Sequence, residues 1–197
     1  LFGRGPTGER NWLLSRAGRM ALILLRHTTP QVAPGTCYGR LDLPLAETFQ
    51  DEAERVVAAL PEIESIVSSP LTRCRQLADY IAEARGLTIS IDPRLIEIDF
   101  GTWEGKPWTD IPREGLDQWA DDFMHARPHG GECVSTLTTR VKTCIGELSK
   151  TDRTRLIVTH AGVIKAALAT TLSAEAYQTQ IEFGGTVTLP MSRAERV

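Results

Sequence analysis

Two apolar runs in this sequence each end in a histidine: LILLRH closes on His27 and LIVTH closes on His160. Continuous apolar runs of this length read as strands buried on both faces. In open α/β sheets, ligands gather at the carboxyl ends of such strands. A single strand-end histidine is ordinarily structural. Two of them, one with an adjacent arginine, suggest a shared pocket. Arg26 directly follows the apolar run and is costly to bury unless it meets an anion. Arg73 follows Ser68-Ser69-Pro70, where a helix is expected to begin. Its guanidinium would there add to the positive end of the helix dipole, a natural anion site. Arginine pairs bind phosphate through paired N–H donors. His27, His160, Arg26 and Arg73 together therefore suggest a phosphoryl pocket. The chain has neither a GxxxxGK[ST] loop nor a carboxylate cluster for magnesium, which argues against a nucleotide kinase or a metal-dependent phosphatase.

The elements that must position these residues can be read from periodicity. A strand starting after Met20 is followed by an irregular loop, Thr28–Leu45, rich in proline and glycine. Phe49, Ala53, Val56, Val57 and Leu60 recur at helical spacing ahead of Pro61. Ile63–Val67 reads as a strand. Ser69 then reads as an N-cap, with Pro70 at the first helical position of a helix that Gly86 stops. Thr88–Ile91 reads as a short strand. Residues 94–132, with Trp103, Trp108 and Trp119, read as loops and one or two short helices. Leu137, Val141, Cys144, Ile145 and Leu148 mark a further helix, Leu156–Thr159 a strand, Ala161–Leu172 a helix and Thr186–Leu189 a last strand. Strands alternating with helices predict an α/β three-layer sandwich, with a mostly parallel central sheet and helices on both faces.

Composition supports one ordinary globular domain. The chain has 197 residues, 42% hydrophobic and 24% charged, with a net charge of −3. The charge is uneven: residues 1–19 carry Arg4, Arg10, Arg16 and Arg19 against Glu9. Residues 1–19 read as an N-terminal extension, non-native or disordered, ahead of a start at Met20; an Arg-rich transit-type segment is the other reading. Residues 20–197 read as a single domain. A weakly acidic chain argues against nucleic-acid binding, and the absence of a long apolar run argues against a membrane span. Cys37, Cys74, Cys133 and Cys144 form no CxxC pair and read as reduced thiols of a cytoplasmic protein. The last strand could pair edge to edge in a homodimer, which polar ends oppose.

Four motifs, in order, resemble the signatures of the histidine phosphatase (phosphoglycerate mutase-like) superfamily. They are Leu25-Arg26-His27-Thr28, Ser68-Ser69-Pro70-Leu71-x-Arg73-Cys74, Glu97-x-x-Phe100-Gly101-x-Trp103-Glu104-Gly105 and Val158-Thr159-His160-Ala161-Gly162. Gly130-Gly131-Glu132 resembles that family's Gly-Glu-Ser loop with Cys133 in place of serine. The resemblance implies a phosphoglycerate mutase-like fold and a metal-independent phosphomonoesterase without cofactor, acting on a small-molecule phosphate monoester. It implies His27 as the nucleophile that becomes phosphohistidine. Arg26, Arg73 and His160 would hold the phosphoryl oxygens, and Glu97 would be the general acid and base. A neutral imidazole is a good nucleophile, and flanking arginines should keep His27 neutral. Glu97 would need to be protonated to serve the leaving alkoxide, so an acidic pH optimum is expected. Glu104 is the alternative acid.

The sequence has Thr28-Thr29-Pro30 where Gly-Glu-Thr is usual in that family; a hydroxyl from Thr28 or Thr29 could reach a phosphoryl oxygen. Thr36–Leu45 looks most like the α-ribazole phosphatase branch, which acts in cobalamin synthesis. Arg40 in that stretch could touch the phosphate or the substrate tail. Sugar and broad-specificity phosphatases share a similar pattern, and a mutase or a non-catalytic phospho-ligand binder are further readings; the short body disfavours the mutase. Residues 103–129 could form a lid. Trp108 and Trp119 could stack on an aromatic leaving group, although filling a core is the commoner use of tryptophan. His125 and His129 read as exposed loop histidines.

Overall fold

A computed structural model describes residues 21–150 and 153–190. The extension read at 1–19, the boundary at Met20 and the tail from 191 lie outside the described residues. Among the described residues, five strands, β1 (Ala21–Arg26), β2 (Ser65–Ser68), β3 (Ile89–Ile91), β4 (Arg155–Thr159) and β5 (Thr186–Pro190), form one sheet in the order β3-β2-β4-β1-β5. β1, β2, β3 and β4 run parallel, and β5 pairs antiparallel with β1. Five α-helices accompany them: α1 (Phe49–Ala59), α2 (Thr72–Arg85), α3 (Arg113–Asp121), α4 (Val134–Leu148) and α5 (Ala161–Leu168).

The alternation of strand side chains builds a core on each face of the sheet. Ile23 and Leu25 of β1, with Leu156 and Val158 of β4, pack against Ala53 and Val56 of α1 and Leu77 and Ile81 of α2. Leu22, Leu24 and Ile157 point the other way, to Leu137 and Val141 of α4 and Val163 and Ile164 of α5. The outcome is the three-layer α/β sandwich that the element order predicts. A third cluster, outside the sheet, joins Cys37, Trp103 and Ile111 with Phe100, Trp108, Leu116 and Trp119. Trp108 and Trp119 stack on each other there at 6.3 Å, with an interplanar angle of 18°.

Three local expectations are corrected. Ser69 does not cap α2, which begins at Thr72. Its first free donors go instead to Asp42, whose carboxylate accepts from Thr72 N at 2.8 Å and from Thr72 Oγ1 at 2.7 Å. α5 ends at Leu168, not at Leu172. Lys142 Nζ captures the Ala169 carbonyl at 2.6 Å, and the β-branched Thr170-Thr171 that follow are weak helix formers. His125 is exposed as expected, but His129 is buried. Its ring lies 5.0 Å from Trp103 and 5.7 Å from Phe100, and its Nδ1 accepts from Gly131 N at 3.0 Å. Aromatic neighbours that are distant in sequence shelter it, and burial lowers its pKa.

Candidate active site

The register of β1 and β4 sets Arg26 opposite Thr159, and His27 N donates to Thr159 O at 2.9 Å. The two strands therefore leave the sheet side by side, and the rings of His27 and His160 stand 5.2 Å apart. Both side chains are buried. Nδ1 of His27 lies 2.7 Å from the Thr28 carbonyl, an acceptor only. This contact places the ring proton on Nδ1 and leaves a lone pair on Nε2.

That lone pair faces Arg73, whose Nε donates to His27 Nε2 at 3.3 Å. Arg73 is fully buried on α2, and its other donors go to Leu41 O at 2.9 Å and Gly39 O at 2.6 Å. Loop 39–41 is thus drawn over the guanidinium. Gly39 is needed for this approach, because a Cβ there would collide with the Ile98 carbonyl. Arg26 donates to Ile181 O at 2.6 Å, and its guanidinium carbon lies 3.7 Å above the Phe183 ring. Its Nε is buried with no partner, as is Thr28 Oγ1. Two polar groups beside His27 therefore have no protein partner and are free to meet a polar ligand. His160 is held by Ser69 Oγ, 2.8 Å from Nε2, with Cys74 Sγ 3.5 Å from the same nitrogen.

Burial is the first cause of the low pKa of His27, pushed down to about 3, followed by the Arg73 charge; the Thr28 carbonyl opposes and Arg26 adds a smaller push. The sequence reading credited the arginines, but desolvation ranks above them. His160 is held well below its ordinary value, again by burial first, then by His27 and Arg73. Both imidazoles are neutral near pH 7, so two guanidiniums supply the positive charge. That combination suits a doubly negative phosphoryl group facing a neutral nucleophile.

Glu97 approaches from the segment after β3 and is nearly buried. Its Oε1 accepts from Ile98 N at 2.9 Å and its Oε2 from Gly162 N at 3.0 Å, two residues past His160. A Cβ at Gly162 would clash with Oε1, so only glycine leaves room for the carboxylate. His27, His160, Arg26, Arg73, Thr28 and Glu97 thus surround the carboxyl ends of β1 and β4. Arg40 stands at the rim, 3.7 Å from both Asp99 Oδ2 and Glu132 Oε2. Glu104, the alternative acid, lies where two loops meet. It takes hydrogen bonds from Arg40 N at 2.9 Å, Leu41 N at 2.6 Å and Phe100 N at 3.0 Å. Its oxygens are committed to joining two loops.

Sequence reasoning missed the Ser69–His160 contact because Ser-Pro before a helix has a ready explanation as a cap. It also missed Phe183, a lone aromatic in a loop, with no pattern to distinguish it. Among the described residues no group of three or more His, Cys, Asp and Glu side chains is placed to hold a metal ion, and no helix is long and apolar enough to cross a membrane. The four cysteines are free.

The chain is similar to known proteins in sequence and in fold. The model of the family described as Histidine phosphatase superfamily (branch 1) matches residues 22–187. Phosphoserine phosphatase 1 of Hydrogenobacter thermophilus is 32% identical over 157 residues, which are 74% of this chain and 72% of that protein. The adenosylcobalamin/alpha-ribazole phosphatase of Escherichia coli is 29% identical over 158 residues, 76% of this chain and 78% of that protein. The crystal structure of the alpha-ribazole phosphatase from Shigella flexneri superposes with a TM-score of 0.77 at 26% identity, covering 90% of this chain and 99% of that one.

Proposed function

Because this chain belongs to the histidine phosphatase superfamily, we propose that it is a metal-independent phosphomonoesterase working through a phosphohistidine on His27. The observation that carries this is a neutral, buried His27 whose Nε2 keeps its lone pair, unprotonated and turned to the Arg73 guanidinium, whose Nε donates to it at 3.3 Å.

The chemistry runs in two displacements. Nε2 of His27 attacks phosphorus as the bond from phosphorus to the ester oxygen breaks. Glu97, protonated, gives its proton to the leaving alkoxide. Water then attacks the phosphohistidine, Glu97 takes a proton from that water, and the P–N bond breaks to restore the lone pair on Nε2. Arg26, Arg73 and His160 bear on the phosphoryl oxygens and stabilise the charge that builds there. Binding would also satisfy the orphaned Arg26 Nε and Thr28 Oγ1.

For the substrate, the Thr36–Leu45 stretch and the likeness to two alpha-ribazole phosphatases favour α-ribazole 5′-phosphate. A second reading, an amino-acid or other small phosphate ester, is favoured by the equal likeness to a phosphoserine phosphatase. The test is kcat/KM across a panel that includes α-ribazole 5′-phosphate, phosphoserine and sugar phosphates, measured with chelator present. A clear preference for the first supports the cobalamin reading, and parity with sugar phosphates removes it. Acid quench with labelled substrate should trap phosphate on His27, and His27→Ala should abolish both label and turnover. Binding without turnover in the wild type would leave a phospho-ligand binder. Transfer to an alcohol rather than to water would leave a mutase. An alkyl-ester rate that stays flat from acid to alkaline pH removes the role given to Glu97.

A further inference from the structure

The segment that delivers Glu97 belongs to no strand. β3 ends at Ile91, and a short turn at Pro93–Leu95 leads directly to Glu97. Its backbone carbonyls cannot be satisfied by a sheet ladder, yet four in a row are satisfied by side chains. Thr159 Oγ1 donates to Leu95 O at 2.8 Å. Arg140 of α4 takes the other three. Its Nη1 donates to Arg94 O and Ile96 O, both at 2.7 Å, and its Nη2 donates to Glu97 O at 3.2 Å.

The remaining Arg140 donors grip a carboxylate. Nε donates to Glu132 Oε1 at 2.7 Å and Nη2 to Glu132 Oε2 at 2.8 Å, the two-point geometry that fixes a guanidinium plane. All five N–H groups of Arg140 are thereby used. The Glu132 and Arg140 side chains are only 8% and 17% exposed, so solvent screens this pair little.

We infer that Arg140, aligned by Glu132, is a positioning residue for Glu97, holding the backbone from which the acid reaches the leaving group. This rests on the reading of Glu97 as proton donor. The pair lies in no catalytic contact itself. Its effect is on aim, and a displacement of about 1 Å at a reacting group can cost about 100-fold in rate. Lysine at position 140 keeps the charge but has three donors on one nitrogen, and cannot span three carbonyls and a carboxylate.

A merely structural role and a positioning role separate by leaving group. p-Nitrophenyl phosphate releases a stable phenolate that needs no proton, whereas glycerol phosphate releases an alkoxide that does. The measurement is kcat/KM for both esters in Glu97→Gln, Arg140→Met, Arg140→Lys and Glu132→Gln, with unfolding midpoints recorded for each. Glu97→Gln should lose about 10²–10⁴-fold on the alkyl ester and far less on the aryl ester. Arg140→Met and Arg140→Lys should repeat that pattern at about 10²-fold, and Arg140→Met should add little in a Glu97→Gln background. If Arg140→Met does not fold, Glu132→Gln carries the test, because it frees the guanidinium plane while keeping Arg140. Equal losses on both esters, or a full additional loss in the Glu97→Gln background, overturn the inference. A Glu97→Gln enzyme that treats the two esters alike brings down the reading of Glu97 itself, and the inference with it.

Discussion

Arg73 donates to the ring nitrogen of His27 that carries no proton, Nε to Nε2 at 3.3 Å, from a position with no solvent exposure. The same guanidinium holds the Gly39 and Leu41 carbonyls. One buried cation therefore orients the His27 ring, discourages its protonation and fixes the loop above it. A phosphoryl group entering the site would take over the Arg73 Nε donor and free the His27 lone pair.

Arg73→Lys tests this triple use. A lysine ammonium cannot serve His27 and two carbonyls in the fixed geometry of a guanidinium. Each charge-assisted hydrogen bond lost contributes about 1.5–3 kcal/mol. Urea unfolding should show a destabilisation of at least about 2 kcal/mol, and inhibition by inorganic phosphate should weaken by at least about tenfold. Unchanged phosphate affinity in a folded Arg73→Lys protein would place the phosphate elsewhere.

The buried histidines make stability depend on pH. Unfolded His27 titrates near 6.5 and folded His27 near 3. Between those values the unfolded chain carries a proton that the folded chain lacks, so stability falls as pH falls through that window. Above about 6.5 the contribution is fully present. The slope is at most about 1.4 kcal/mol per pH unit for each such histidine, and His160 shifts in the same direction. Unfolding free energies on both sides of pH 6.5 should show His27→Asn with a shallower acid decline than wild type. Parallel declines would show that His27 is not held neutral.

Gly162→Ala should separate activity from stability. Alanine is the better helix former, and the clash is with the end of the Glu97 side chain, which can turn away. The protein should fold with a midpoint close to wild type while kcat/KM on alkyl phosphates falls about 100-fold. Retained alkyl activity would mean that the observed Glu97 position is not the working one.

Glu104→Gln should do the reverse. It replaces a carboxylate that accepts three backbone donors from two loops, which should destabilise by about 1–3 kcal/mol. Any loss of kcat/KM should be the same for aryl and alkyl esters. A loss confined to alkyl esters would make Glu104, not Glu97, the acid.

Much of this protein was legible in one dimension, for reasons that are local. Leu22–Leu25 and Leu156–Val158 had to be central strands because both faces of each run are apolar. Parallel pairing of two such strands brings their carboxyl ends together, and this is why His27 and His160 could be matched from sequence. Arg26 and Arg73 stood out because a guanidinium beside an apolar run or a helix start is well placed to meet an anion.

Carboxylates, hydroxyls and loop side chains were less legible, because their meaning depends on which groups the folded chain brings within about 3 Å. Glu97 and Glu104 lie seven positions apart in one motif. Glu97 meets the start of α5 beside His160, and Glu104 ties two loops together. Ser69 looked like a cap until Asp42 took the helix start and left the serine to His160. Arg40 could be read as touching the phosphate or the substrate tail, and in the fold it stands at the rim between Asp99 and Glu132. Sequence alone determined the α/β sheet and its order of buried runs, because hydrophobic periodicity is a property of neighbours along the chain. Tertiary structure decided which acid faces the site, what holds it and which polar groups remain unsatisfied, because a hydrogen bond is made by neighbours in space.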